Sequence, residues 1–249
     1  MFELKFDDAK VFKEIVEAIS TLIDEGEFEI LNEGMKLRAM DPSQIAMVDF
    51  EISKDAFEKY EIPSETKIGL NLEDLSRITS RVRAGESLTL KLDDTKARLE
   101  LVFQGKSTRR FNLPLLDISS SSPKTPSIDF DAKIKVNGPV IKESLKDASL
   151  VSSHVVLNAT ENGFDVKAHG DKGDVTVETL KDQDILLEHT VNKNSKAMFP
   201  LEYLNDLLKA TDSASIVEIN LGTDKPLKVE YNLGQARLTY FLAPRIETE

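Results

Sequence analysis

The 249-residue chain contains no cysteine and no tryptophan. Without thiols there are no disulfides, no thiolate metal ligands and no cysteine nucleophile, which suits a reducing interior or a hot one. No stretch approaches the roughly 20 uninterrupted apolar residues that a membrane helix needs. Met1 to Phe6 alternates like a strand, where a secretory leader would carry a basic flank and an apolar core. The expectation is a cytoplasmic protein that does not meet a membrane. A glycine-rich phosphate loop is also missing, and His154, His169 and His189 are scattered instead of paired at metal spacing. Asp129-Phe130-Asp131 is a weak carboxylate pair that reads as solvent-exposed strand-edge residues, so neither an enzyme nor a cofactor is expected. Basic charge is in short supply too. With 44 acidic residues against 32 basic ones the formal charge is −12, so a chain that handles nucleic acid must gather its cations on one surface.

What the chain does have is a repeat. Lys13-Glu14, a helical pattern and Asn32-Glu33-Gly34 recur as Lys142-Glu143, a second helical pattern and Glu161-Asn162-Gly163, at an offset of 129 residues. The same shift places Met35, Leu37 and Ala39 on Phe164, Val166 and Ala168, and Leu72, Leu75 and Ile78 on Leu201, Leu204 and Leu207. It also places Leu88, Leu90 and Leu92 on Val217, Ile219 and Leu221, with a one-residue slip near Leu99 and Leu227. One register sustained this far argues for two copies of one architecture. The expected domains are 1–117 and 129–249. They are joined by a connector at 118–128 whose Ser119-Ser120-Ser121-Ser122-Pro123-Lys124-Thr125-Pro126 has the composition of an exposed linker.

Phe12, Ile15, Val16, Ile19, Leu22 and Ile23 form a stripe at i, i+3, i+4 that predicts an amphipathic helix over 9–23. Similar stripes predict helices over 72–82, 139–150 and 200–210. Short alternating runs at Phe28–Leu31, Met35–Met40, Ile45–Ile52, Leu88–Leu92, Leu99–Phe103 and Arg109–Leu115, with turns at Glu33-Gly34 and Asp93-Asp94, read as antiparallel strands. Each half is therefore expected to be α+β, with two helices on one face of antiparallel sheet.

Three segments resemble the proliferating cell nuclear antigen family closely: Leu37 to Ser43 followed by Ile45 to Asp49, Gly69-Leu70-Asn71-Leu72, and the tail Leu238 to Ile246. The resemblance runs the whole length of the chain. It implies a sliding clamp of archaeal type with the DNA-clamp fold: a closed homotrimeric ring of six domains, twelve helices lining the hole and sheets forming the outer wall. Such a processivity factor encircles duplex DNA without reading its sequence. It tethers DNA polymerase, flap endonuclease and ligase for replication and DNA repair through short peptide motifs, and a clamp loader places it on DNA. Readings that leave the homotrimer aside are a subunit of a hetero-oligomeric clamp and, more distantly, a dimeric α+β interaction protein unrelated to DNA.

The resemblance implies three sites. Lys10, Lys13, Arg77, Arg81, Arg83, Lys142, Lys146 and Lys209 lie on the polar helix faces and would face DNA, although taken alone they are equally ordinary solvated residues beside Glu14, Glu17, Glu143, Glu202 and Asp206. Met40, Ile45, Met47, Pro226, Phe241, Leu242, Ala243 and Pro244 would form a pocket for partner peptides anchored by aromatics. Each of them read singly is core or strand, and the connector beside them is almost wholly polar where the family usually places apolar residues. The subunit joint would pair an edge strand near Ser107–Leu113 with one near Asp174–Lys181, which carries Val175 and Val177. Arg109 and Arg110 would then form a charged rim with Glu143 and Asp147, unless these are independent surface charges.

Overall fold

A computed structural model describes residues 2–93, 97–118, 122–171 and 173–246. Asp94 of the expected Asp93-Asp94 turn and Ser119, Ser120 and Ser121 of the connector lie outside the described residues. The chain forms two compact units. The first gathers the described residues of Met1–Pro42, Val48–Pro123 and Leu233–Leu238, and the second those of Ser43–Met47, Lys124–Asn232 and Thr239–Glu249.

The elements of the first half are β1 (Glu3–Phe6), α1 (Ala9–Ser20), β2 (Glu25–Leu31), β3 (Gly34–Met40), β4 (Ala46–Ser53), β5 (Lys59–Glu61), β6 (Thr66–Asn71), α2 (Leu72–Thr79), β7 (Ser87–Asp93), β8 (Arg98–Gln104) and β9 (Thr108–Pro114). Those of the second are β10 (Ala132–Asn137), α3 (Gly138–Ser149), β11 (His154–Thr160), β12 (Gly163–Gly170), β13 (Gly173–Leu180), β14 (Leu186–Val191), β15 (Ser195–Pro200), α4 (Leu201–Leu208), β16 (Ile216–Leu221), β17 (Leu227–Leu233) and β18 (Ala236–Leu242). All four helices and strands β2, β6 and β8 map onto their counterparts at an offset of 129. Strand order repeats as well. β5-β1-β7-β8-β9 corresponds to β14-β10-β16-β17-β18, and β4-β3-β2-β6 to β13-β12-β11-β15. The slip is visible in which side chains point inward: Leu99, Leu101 and Phe103 of β8 are buried, and so are Leu227, Val229 and Tyr231 of β17.

Local chemistry starts and stops the helices. The Asp8 carboxylate accepts from the Lys10 N–H at 2.9 Å to cap α1, and the Asn71 side chain accepts from the Asp74 N–H at 2.9 Å to cap α2. Glu73 and Asp74 then occupy the first turn of α2 and Arg77 its last, as the helix dipole favours. The helices end sooner than their apolar periodicity suggests, α1 and α2 by the most. Beyond Ser20 the Leu22 N–H bonds to the Ile19 carbonyl at 3.1 Å, and beyond Thr79 the Arg81 N–H bonds to the Ile78 carbonyl at 3.1 Å. These i→i−3 turns carry buried Leu22 and Ile23 but leave Arg81 and Arg83 outside the helix that was expected to hold Arg81. Strand β6 escaped the pattern because Gly69 interrupts it. That glycine has a reason: a Cβ there would stand 2.3 Å from the Leu116 carbonyl oxygen and 2.9 Å from Ile118 Cγ1.

The bridge Gly69–Leu116 is matched by Met198–Arg245 at the same offset, so each half ends with its chain laid against an equivalent strand. Gly69→Ala forces this crossing apart, and stability falls by about 1–3 kcal/mol, read as a lower urea midpoint with an unchanged slope.

Candidate functional site

The apolar side of each helix is sealed in its unit, by Phe12, Ile15 and Ile19 in α1, Leu72 and Leu75 in α2, Ile141 and Leu145 in α3, and Leu204 and Leu207 in α4. The opposite sides and the turns after them hold the cations expected to meet DNA, and four of these eight pair with a carboxylate. Lys10 pairs with Glu14 at 3.3 Å, Lys13 with Glu17 at 3.6 Å, Arg77 with Glu73 at 2.6 Å and Lys146 with Glu143 at 2.6 Å. Counting as far as Arg83 past α2 and Lys209 past α4, eight cations on these elements meet eight acids: Glu14, Glu17, Glu73, Asp74, Glu143, Asp147, Glu202 and Asp206. The helix faces are thus neutral in a chain of charge −12, so the acidic excess lies elsewhere. Arg81 and Arg83 are exposed and form no ion pair among the described residues. Lys142 differs from its equivalent Lys13, because its ammonium donates to the Thr211 carbonyl at 2.9 Å and so holds the chain leaving α4.

The two arginines of the expected rim part company. Neighbours in a strand point to opposite faces, so Arg110 is exposed, 3.8 Å from Glu100, while Arg109 turns inward. Its guanidinium donates to the carboxylate of Glu86 and to the Arg81 carbonyl, at 3.1 Å, and lies 5.1 Å from the centre of the Phe103 ring. Glu86 also accepts from the Arg83 N–H at 2.9 Å. Arg109 is therefore engaged inside its own unit, by a buried glutamate that sequence reasoning missed. β9 and β13 are edge strands of their sheets. Val175 and Val177 of β13 are half-buried, and Glu143 and Asp147 are exposed on α3, which packs against that strand. Leu150 and Leu180, unremarked in the sequence, stand 75% and 49% exposed at the ends of α3 and β13.

Of the expected peptide-pocket residues, Met47, Phe241 and Leu242 are buried core, within the continuous buried runs Ala46–Val48 and Tyr240–Leu242 that break the alternation of β4 and β18. Ile45, Ala243, Pro244 and Pro226 are half-exposed in the second unit, where the Ala243 N–H donates to the Ile45 carbonyl at 2.8 Å. Met40, at the end of β3 in the first unit, is 37% exposed. The tail continues to Arg245, whose N–H bonds to the Met198 carbonyl at 2.8 Å and whose guanidinium donates to His154 Nε2 at 2.8 Å. Burial and then the Arg245 charge hold the His154 imidazole below the usual histidine range. Among the described residues no cluster of three or more His, Cys, Asp or Glu is placed to hold a metal ion.

The family model for the proliferating cell nuclear antigen N-terminal domain matches residues 1–122, and that for the C-terminal domain matches residues 124–246. The chain belongs to the proliferating cell nuclear antigen family. A DNA polymerase sliding clamp from Pyrococcus abyssi is 38% identical over 247 residues, covering 99% of both chains. Another from Methanococcus vannielii is 38% identical over 244 residues, covering 97% of this chain and 98% of that one. Among solved structures, PCNA from Thermococcus kodakaraensis superposes with a TM-score of 0.94 at 28% identity, covering 98% of this chain and all of the other. A. fulgidus PCNA bound to the C-terminal region of FEN-1 gives 0.92 at 28% identity over the whole of both chains. The antiparallel sheets and four helices described above are thus the proliferating cell nuclear antigen fold.

Two outcomes follow from this geometry. Arg109→Ala leaves Glu86 buried and unpaired, with only 4% of its side chain exposed, and lowers stability by about 3 kcal/mol, whereas Arg110→Ala barely moves the urea midpoint. For His154, the folded chain resists protonation more than the unfolded one. The stabilisation is whole above the ordinary histidine pKa and fades as pH falls through the lower folded value. An NMR titration is expected to show the Arg245 amide losing protection, relative to its intrinsic exchange rate, as pH falls over that interval.

Proposed function

We propose that the chain is a DNA sliding clamp that closes into a homotrimeric ring around duplex DNA and catalyses no reaction. The observation that carries this reading is the match to sliding clamps along the whole chain, both in sequence and in fold. Two clamp domains, 1–117 and 129–249, flank the connector at 118–128, and the protein works in the cytoplasm at the nucleoid.

The helix faces support a DNA-lined hole. A surface with as many acids as cations attracts phosphate weakly and reads no bases, which suits a ring that slides and is retained by topology. Lys10, Lys13, Arg77, Arg81, Arg83, Lys146 and Lys209 are the DNA-facing cations in this reading, and Lys142 holds α4. The joint forms where β9 of one subunit pairs with β13 of the next, satisfying backbone groups that an edge strand leaves open. Phe111 on one side, and Val175, Val177 and Leu180 on the other, supply apolar contact, with Arg110, Glu143 and Asp147 around it. Partner peptides dock on Ile45, Pro226, Ala243 and Pro244 beside the connector. The FEN-1 segment bound to the A. fulgidus protein supports that mode for polymerase, loader, flap endonuclease and ligase as well.

Light scattering across a salt and concentration series is expected to give three times 27.8 kDa. A dimer would contradict the ring, and a lasting monomer would call for unlike sibling subunits. Replacing Lys13, Arg77 and Lys146 together by alanine keeps that mass. It lowers processivity and reduces the salt slope of DNA association by up to about 3; unchanged processivity would remove these residues from the DNA face.

A further inference from the structure

Residues 122–128 of the connector make no hydrogen bond or ion pair with the rest of the protein among the described residues. The segment is held at its ends. Upstream, Leu116 bridges to Gly69. Downstream, a side chain makes the first contact: Lys225 Nζ donates to the Asp129 carbonyl at 2.6 Å and reaches the Asp131 carboxylate at 3.3 Å. Two residues on, the backbone takes over: the Asp131 N–H bonds to the Leu221 carbonyl at 3.0 Å, and its carbonyl accepts from the N–H groups of Asn192 at 2.8 Å and Lys193 at 3.3 Å.

The turn after β16 is shaped to aim Lys225. The Lys225 N–H closes it on the Gly222 carbonyl at 3.2 Å, and Asp224 adopts φ 53°. The aliphatic stem of Lys225 passes over Gly222, where a Cβ would lie 2.6 Å from Lys225 Cδ. The next residue is Pro226, which belongs to the docking surface. Anchor and docking surface therefore share one turn, and Asp129-Phe130-Asp131, idle as a carboxylate pair, has a physical task as the acceptor of the anchor.

We infer that Lys225 is a positioning residue for peptide capture, pinning the downstream end of the connector so that the free segment lies beside the docked peptide. The inference rests on the docking reading above. Lys225 brings the fixed point forward from Asp131 to Asp129, and a shorter loose segment gives up fewer conformations when it orders against a ligand. Lys225 is 38% exposed, so its loss opens no hole in the core.

The test compares the full-length wild type with Lys225→Met and Lys225→Arg. A labelled synthetic peptide carrying a glutamine and an aromatic pair is titrated into each, and amide exchange at Phe130 to Ala132 is followed without peptide. Lys225→Met is expected to weaken binding roughly three- to tenfold and to speed exchange, with assembly mass and unfolding midpoint unchanged, and Lys225→Arg to restore both. Wild-type affinity in Lys225→Met, or a loss that only tracks a fallen midpoint, would overturn the inference and leave the docking reading standing. Failure of the wild type itself to bind would overturn both.

Discussion

The polar faces of the four helices exist as surfaces because the stripes opposite them are buried almost completely. Phe12, Ile15, Val16 and Ile19 lose nearly all contact with water, as do Leu72 and Leu75, Ile141 and Leu145, and Leu204 and Leu207. Full burial of one such side chain is worth about 1.5–3 kcal/mol, whereas an exposed ion pair such as Arg77–Glu73 is screened by water and adds little. Burial therefore decides how each helix is rolled, and the charges go where that leaves them. In the proposed ring this is what would turn Lys10, Lys13 and Arg77 toward the hole.

Charge then acts at two levels. Over the whole chain the excess is acidic, yet the helix faces balance acids with cations, so the contrast between surfaces matters more than the attraction of any one residue. Across the sheets, cations are knitted to carboxylates on neighbouring strands. Lys133 and Lys135 both reach Glu188 and Glu218, and hydrogen bonding chiefly from Lys135 lowers the Glu188 carboxyl below its ordinary range. Such networks neutralise cations that would otherwise offer DNA a competing site.

Three basic side chains work within a unit instead of facing a partner: Arg109 on Glu86, Lys142 on the end of α4, and Lys225 on the connector. A charged residue seen in a sequence looks available to a ligand. Each of these three sits where a backbone carbonyl or a buried carboxylate lies within hydrogen-bond reach, and a donor that satisfies such a group is more strongly held than one left in water.

The sequence by itself determined the duplicated α+β architecture, the positions of the helices to within a few residues and the offset of 129, because apolar periodicity and capping residues act over one or two turns of chain and survive in linear order. It also carried the family, through segments such as Leu37 to Ser43 and the Leu-Ala-Pro tail. Strand β6 was illegible because Gly69 is explained only by Leu116 and Ile118, which lie far along the chain. The opposite fates of Arg109 and Arg110, the inward turn of Met47 and Leu242, and the anchoring by Lys225 of a segment 94 residues upstream were decided by tertiary structure alone. In each case the partner that settles the role is brought close by sheet pairing and turn geometry, so nothing in the local sequence announces it.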